Sequence, residues 1–77
     1  MTTITSRELN YIVFRYLQES GFQHTAFNLG YEAAIDKETS IDVNSVPPGA
    51  LITLVQKGLQ YLEMEANLKI VLVLAYP

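Results

Sequence analysis

The chain has 77 residues, no cysteine and a formal net charge of −3 at pH 7, with five basic residues against eight acidic ones. The missing cysteines exclude disulfides and thiolate metal sites, and the scattered basic residues disfavour direct binding to nucleic acid, which needs a basic stripe. A chain this short buries only about 60% of its unfolded surface, so we expect oligomerisation to supply the stability that a lone monomer lacks.

The first predicted element is a helix over residues 6–20. Thr5 and Glu8 have the spacing of a capping box, in which each side chain accepts a hydrogen bond from the backbone N–H of the other residue. Gly21 follows the helix and can take the left-handed conformation that ends many helices. These signals predict both ends of the first helix.

The apolar residues of this helix recur at the spacing that forms one buried stripe. They are Leu9, Ile12, Val13, Tyr16 and Leu17. Tyr11 and Phe14 face elsewhere, so the helix carries more apolar surface than one small monomer can easily hide. A helix that is apolar on two sides is expected to pair with a copy of itself.

A second helix is predicted from about His24 to Ala34, and a polar loop follows at 36–47. The small residues of this helix lie on one narrow face, formed by Ala26, Leu29, Gly30 and Ala33. Glycine costs up to about 1 kcal/mol in helix propensity, which a close approach to the first helix would offset. The two helices therefore form a predicted hairpin.

A long amphipathic oligomerisation helix is predicted within residues 48–68, after a first-turn proline. One seam has heptad-like spacing and contains Ile52, Val55, Leu59, Leu62 and Ala66. A second apolar stripe contains Leu51, Leu54, Gly58, Tyr61 and Leu68. One stripe can cover the hairpin, and the other needs a partner.

The C-terminal tail, residues 69–77, contains the apolar run Ile70–Ala75. Its β-branched, uncharged character is typical of aggregation-prone strands, but the tail could also prolong the third helix or lack fixed structure. We favour a tail that lies on apolar surface of the same assembly. Because a membrane span needs about 20 apolar residues and the N-terminus has no signal pattern, we expect a soluble chain with no membrane partner and no targeting signal.

No residue pattern predicts catalysis, a metal or another cofactor. His24 is the only histidine, and a zinc or catalytic site needs several convergent groups. Glu63 and Glu65 are two positions apart on a helix and point in different directions, which disfavours paired-carboxylate chemistry. We therefore predict that the chain is not an enzyme.

The hairpin sequence resembles the LisH (lissencephaly-type homology) dimerisation motif. The matching positions are Leu9, Asn10, Ile12, Val13, Tyr16, Leu17, Gly21, Thr25, Ala26 and Glu32. Phe22 stands where the motif usually has tyrosine. It keeps the ring for packing and lacks the hydroxyl.

With the blocks at 46–52, 55–61 and 63–68, the resemblance extends to the N-terminal region of transducin-beta-like WD-repeat corepressor subunits, especially the plant members. It covers about residues 3–68 and does not include the WD40 propeller. The resemblance implies homodimers and tetramers in the nucleus. It also implies docking of amphipathic helices from corepressor proteins, and a link to histone deacetylase complexes.

We accordingly predict an all-α chain: a LisH hairpin in residues 1–35, the loop, the third helix and the tail, assembled as an intermolecular helical bundle in a dimer or tetramer. The predicted dimer interface consists of Leu9, Ile12, Val13, Tyr16, Leu17, Phe22, Ala26 and Leu29. The predicted second interface consists of Ile52, Val55, Leu59 and Leu62.

The predicted function is a protein–protein interaction and homo-oligomerisation module of a transcriptional corepressor scaffold. The alternative is a truncated LisH protein that only self-associates or associates with full-length relatives, without binding corepressors. A pull-down with corepressor partners distinguishes the two, because only the first function requires that binding.

Overall fold

The computed structural model describes residues 3–65, and these residues form helices and turns without a strand. Ala66, Leu68 and the tail 69–77, on which some of the predictions fall, lie outside the described residues. The three α-helices are α1 (Ser6–Glu19), α2 (Gln23–Glu32) and α3 (Ala50–Met64), and two short 3₁₀ turns (Ile35–Lys37 and Val43–Ser45) connect α2 to α3. The prediction of an all-α fold is confirmed.

The start of α1 is fixed by the capping box that the sequence predicts. The hydroxyl oxygen of Thr5 accepts a hydrogen bond from the N–H of Glu8 at 3.1 Å, and the Glu8 carboxylate accepts one from the N–H of Thr5 at 2.9 Å. The bond from the Thr5 backbone N–H to the carboxylate is the main cause, and the Thr5 side chain the second, that holds the pKa of Glu8 below its usual value. The capping-box prediction is therefore confirmed.

The lowered pKa values predict a loss of stability in acid. Glu38 also has a lowered pKa, because it accepts hydrogen bonds from the Ser40 hydroxyl and backbone N–H. A carboxylate with a depressed folded-state pKa stabilises the fold above its ordinary pKa, here 4.5. That contribution is lost as the pH falls through the folded-state pKa. We expect Glu8→Gln to reduce the fall in melting temperature between pH 5 and more acidic buffers, and an unchanged fall would contradict this.

The turn between α1 and α2 uses a left-handed glycine. Gly21 has φ +85°, and the N–H of Phe22 donates to the carbonyl oxygen of Leu17 at 2.9 Å. At its other end, α2 stops two residues earlier than the sequence predicts. Ala34 has φ +52°, a left-handed conformation that cannot continue a right-handed helix.

Close packing joins α1 to α2 through the small-residue face that the sequence predicts. A Cβ atom built on Gly30 would lie 3.0 Å from the ring carbon Cε1 of Phe14. One turn earlier on α2, Ala26 is only 3% exposed. Phe14 therefore packs directly over Gly30, where its ring leaves little room for a larger side chain.

We expect Gly30→Val to destabilise the fold by about 1–3 kcal/mol, the usual cost of overpacking a filled contact. Gly58→Ala is the matched control, because a Cβ at Gly58 meets nothing within 4 Å and alanine has the better helix propensity. Denaturant unfolding at one fixed protein concentration measures both variants. Equal stability of the two variants would show that the Phe14 contact does not limit the size of residue 30.

A side-chain clamp on α1 positions the start of α3. Arg15 donates to the carbonyl oxygen of Val46 at 3.4 Å, and it pairs with Glu19 at 3.2 Å. The other carboxylate oxygen of Glu19 accepts a hydrogen bond from the N–H of Gly49 at 3.0 Å. The connection to α3 is thus held by two residues of α1 that lie one turn apart.

The first residue of α3 is Ala50 rather than position 48 as predicted. Gly49 has φ +74°, and this left-handed conformation separates the preceding prolines from the right-handed helix. The helix begins only once the backbone has returned to negative φ. The Glu19 clamp holds the glycine that makes this change of direction.

The core within one chain is very small. Among residues 3–65, only Tyr11 (8% exposed) and Ala26 are buried. Tyr11 lies beside Ile41 and Val46 of the connecting segment. It is on the second apolar side of α1, which the sequence analysis did not include in the predicted interface. The predicted main stripe of α1 is instead half-buried or exposed within a single chain.

Candidate functional site

An open apolar groove of about 610 Å³ lies between the N-terminal halves of α1 and α3. We call it the Leu54 groove. Its lining residues are Thr3, Ile4, Glu8, Leu9, Ile12, Leu51, Leu54 and Val55. The one charged side chain in that lining is Glu8, which is already engaged in the helix cap. The groove therefore suits an apolar segment that carries no charge.

A second open groove of about 380 Å³ lies where α3 passes Tyr16 of α1. We call it the Tyr16 groove. Its lining residues are Tyr16, Leu51, Ile52, Val55, Gln56 and Leu59. Leu51 and Val55 line both grooves, so the grooves adjoin and form one apolar face across α1 and α3. We call their combined lining the α1/α3 face.

The structure places three of the predicted dimer residues of α1 on this face. Leu9 and Ile12 line the Leu54 groove, and Tyr16 lines the Tyr16 groove. Leu9 is 43% exposed, and the other two side chains are half-buried. Val13 and Leu17 are also half-buried, outside the linings of both grooves.

The three predicted dimer residues on and before α2 lie apart from the α1/α3 face. Phe22 is 52% exposed at the tip of the hairpin, and Leu29 is half-buried. Ala26 is covered by its own chain and has little surface left for a partner. As contacts of a dimer, these three residues remain predictions.

Three of the four predicted second-interface residues of α3 lie on the same face as the α1 stripe, and Leu62 lines neither groove. Ile52 is 64% exposed and Val55 is 54% exposed, whereas Leu59 and Leu62 are half-buried. Ile52, Val55 and Leu59 line the Tyr16 groove beside Tyr16 itself. Two interfaces that were predicted separately thus meet on one surface, because α3 lies across α1.

The Arg15–Glu19 clamp beside this face was missed by the sequence reasoning. Arg15 donates a hydrogen bond to the hydroxyl oxygen of Tyr11 at 3.1 Å. This bond is the main reason why the pKa of Arg15 lies above its usual value. The spacing of Arg15 and Glu19 by four residues is a visible sign of a helix ion pair. The clamp also contacts Val46 through Arg15 and Gly49 through Glu19, residues that are about thirty positions away in the sequence. No local sequence pattern predicts contacts at that separation.

A further apolar surface lies on the outer side of α2 and was not predicted as a site. Phe27 is 73% exposed and Tyr31 is 81% exposed, and the two residues are one helical turn apart.

Among residues 3–65, no cluster of three or more histidine, aspartate or glutamate side chains is arranged to hold a metal ion. None of the helices in that part of the chain is long and apolar enough to cross a membrane.

Residues 7–33 match the LisH family model. These residues contain α1 except its first residue, Ser6, together with the Gly21 turn and all of α2. The N-terminal hairpin is a LisH domain. A LisH domain is a protein-interaction module rather than a catalytic one, which agrees with the apolar surface that this hairpin leaves uncovered.

The chain is also similar to the N-terminal segments of longer WD-repeat proteins. It is 72% identical over 68 residues to the WD40 repeat-containing protein HOS15 of Arabidopsis thaliana, with 88% of this chain and 11% of that protein covered. It is 53% identical over 66 residues to the human F-box-like/WD repeat-containing protein TBL1Y, with 86% and 12% covered.

The SIR4-interacting protein SIF2 of Saccharomyces cerevisiae is 40% identical over 63 residues, with 82% of this chain and 12% of that protein covered. The chain therefore spans about one tenth of the length of the relatives it matches. The predicted resemblance to WD-repeat family proteins is confirmed, and it includes α3 as well as the hairpin, since the matches are far longer than the LisH region.

Proposed function

We propose that this chain is a homo-oligomerisation module that forms a dimer or tetramer through the α1/α3 face. One observation carries the proposal. Three predicted interface residues of α1 (Leu9, Ile12 and Tyr16) and three of α3 (Ile52, Val55 and Leu59) come together on one apolar face, while only two residues in the described part of the chain are buried within a single chain. A second copy supplies the core that one copy lacks.

The energies favour this arrangement. Full burial of a valine, leucine or isoleucine side chain contributes about 1.5–3 kcal/mol. Ile52 and Val55 each keep more than half of their surface exposed in one chain. In an isologous dimer every contact occurs twice, so burial of these side chains and their α1 neighbours adds more than the small intrachain core provides.

The oligomeric state tests this part of the proposal. Light scattering after size exclusion, across a dilution series, is expected to give a dimer or tetramer. The melting temperature should rise with protein concentration, as mass action requires when association stabilises the fold. A fully helical monomer with a melting temperature independent of concentration would refute it.

The wider role that we propose is a scaffold for transcriptional corepression in the nucleus, linked to histone deacetylase complexes. The resemblance to WD-repeat corepressor subunits supports it, and the high identity to the N-terminal segments of WD-repeat proteins gives that resemblance its weight. Amphipathic helices of corepressor proteins would dock between subunits, as such helices do in apolar grooves.

The second candidate is association with longer relatives without corepressor binding. The 72% identity to HOS15 favours it, because subunits so similar can replace one another in a symmetric contact. Two defined pull-downs with the purified chain separate the candidates. Capture of synthetic corepressor helices supports the scaffold, whereas capture of full-length HOS15 without those helices supports association alone. The Val55→Asp variant is the control for both.

A further inference from the structure

We propose that the outer side of α2 is a second self-association surface, on which α2 of another copy lies antiparallel. Phe27 is 73% exposed and Tyr31 is 81% exposed, and both lie on one side of the helix because they are four residues apart. We call this pair the α2 ridge. It lines neither groove and is not part of the α1/α3 face. The inference rests on the proposed function, since the ridge joins two dimers that the α1/α3 face has formed.

The size of the α2 ridge suits the joining of dimers. Phenylalanine and tyrosine side chains bury about 150–250 Å² each, and about three quarters of each is still exposed here. The four rings of one antiparallel contact therefore bury on the order of 600 Å², whereas a stable interface buries about 1,200–2,000 Å². One contact is too small to hold two single chains together. A closed tetramer of two dimers repeats the contact by symmetry, and two contacts reach the size of a stable interface.

The charges of α2 favour a copy of the same helix as the partner. Phe22, in the N-cap position, makes no side-chain hydrogen bond to the first turn, and that turn has no acidic residue. The last turn has no basic residue, and its Glu32 has no ion-pair partner within residues 3–65. A helix carries positive partial charge at its N-terminus and negative partial charge at its C-terminus. Both ends of α2 therefore lack a compensating charge.

An antiparallel copy supplies the missing charge at each end. With the two-fold axis midway between Phe27 and Tyr31, each ring packs near the other type of ring in the partner helix. His24 and Glu32 lie five and three residues from that midpoint, on opposite sides of it. The reversed helix thus brings its Glu32 to within about 3 Å, along the axis, of His24 at the uncapped N-terminus. The same complementary contact then occurs at both ends.

Phe27→Asp tests the α2 ridge, and sedimentation equilibrium over a concentration range measures the balance between tetramer and dimer. The natural chain is expected to form tetramers that dissociate to dimers on dilution. Phe27→Asp should raise the tetramer dissociation constant at least about a hundredfold, because each contact would bury two unpaired carboxylates among rings. Thr25→Asp is the matched control. It adds the same charge to an exposed residue of α2 on another side of the helix, so tetramers should persist.

Tetramers that persist in Phe27→Asp would overturn the proposal, as would a natural chain that never exceeds a dimer. Both results leave the α1/α3 face standing as the dimer contact. Failure of that face is shown by a different result, an oligomer that survives Val55→Asp.

An exchange of charges tests whether the partner is a copy of α2, and it leaves the rings in place. Glu32→Lys should weaken the tetramer about tenfold, because the cation then faces the positive N-terminus of the partner helix. The same change favours the fold of the single chain, since a cation stabilises a helix C-terminus. Weaker association therefore cannot come from unfolding.

Adding His24→Glu to Glu32→Lys should return the tetramer dissociation constant to within about twofold of the natural value, because the reversed charges are complementary again. Restoration by a second change in the same chain is expected only if the partner is another α2. A tetramer that Glu32→Lys leaves unchanged would overturn the antiparallel contact. A double variant that stays as weak as Glu32→Lys would also overturn it.

Discussion

Val55→Asp is expected to dissociate the oligomer into monomers. Val55 is 54% exposed in a single chain, so a monomeric fold would tolerate the change with little loss. In the proposed assembly the carboxylate would be buried without a partner, at a cost of several kcal/mol. A loss of about 4 kcal/mol corresponds to a thousandfold higher dissociation constant. Size exclusion with light scattering over a dilution series measures this shift.

Gln60→Asp is the matched control for Val55→Asp. It adds the same charge to an exposed position of α3 that lines neither groove, so the oligomer should persist. Circular dichroism of both variants shows whether helicity follows the oligomeric state. If Val55→Asp keeps the oligomer at all concentrations, the α1/α3 face is not the association surface.

Tyr11→Ala is expected to cost about 3–5 kcal/mol, the usual loss when a large buried aromatic side chain is removed. Tyr11 is one of only two buried residues in the described part of the chain, and its hydroxyl accepts a hydrogen bond from Arg15. A small domain has a total stability of only about 5–15 kcal/mol. The variant should therefore lose most of its helicity at moderate temperature.

Tyr11→Phe separates the ring from its hydroxyl. The phenylalanine keeps the apolar packing and loses the acceptor for Arg15, so the expected cost is about 0.5–1.5 kcal/mol. Denaturant unfolding must compare the variants at one protein concentration, because association contributes to stability. If Tyr11→Phe costs as much as Tyr11→Ala, the hydroxyl rather than the ring stabilises this region.

The helix starts and stops show how far local sequence patterns can predict. Thr5 and Glu8 gave the first residue of α1, because a capping box is made by residues three positions apart. The end of α2 was placed two residues too late, since alanine rarely adopts the left-handed conformation seen at Ala34. The start of α3 was predicted two residues too early, at position 48. The left-handed conformation of Gly49 delays the right-handed helix until Ala50.

The packing of α1 shows where such patterns fail. Periodicity identified two apolar sides of the helix, but it could not tell which side the chain itself would cover. In the structure Tyr11 is buried on the side of α1 that faces the connecting segment, and Phe14 packs on Gly30. The predicted main stripe is left partly open, which is why it remains available for a partner.

The sequence by itself determined the helical class, the capped start of α1, the LisH resemblance and the need for more apolar burial than one short chain provides. These properties depend on residue types and spacings within a few turns. Only the tertiary structure decided that the stripes of α1 and α3 meet on one face. That outcome depends on the direction in which α3 leaves Gly49, and this direction is set by hydrogen bonds from Arg15 and to Glu19 across about thirty residues of chain. No local pattern encodes contacts at that separation.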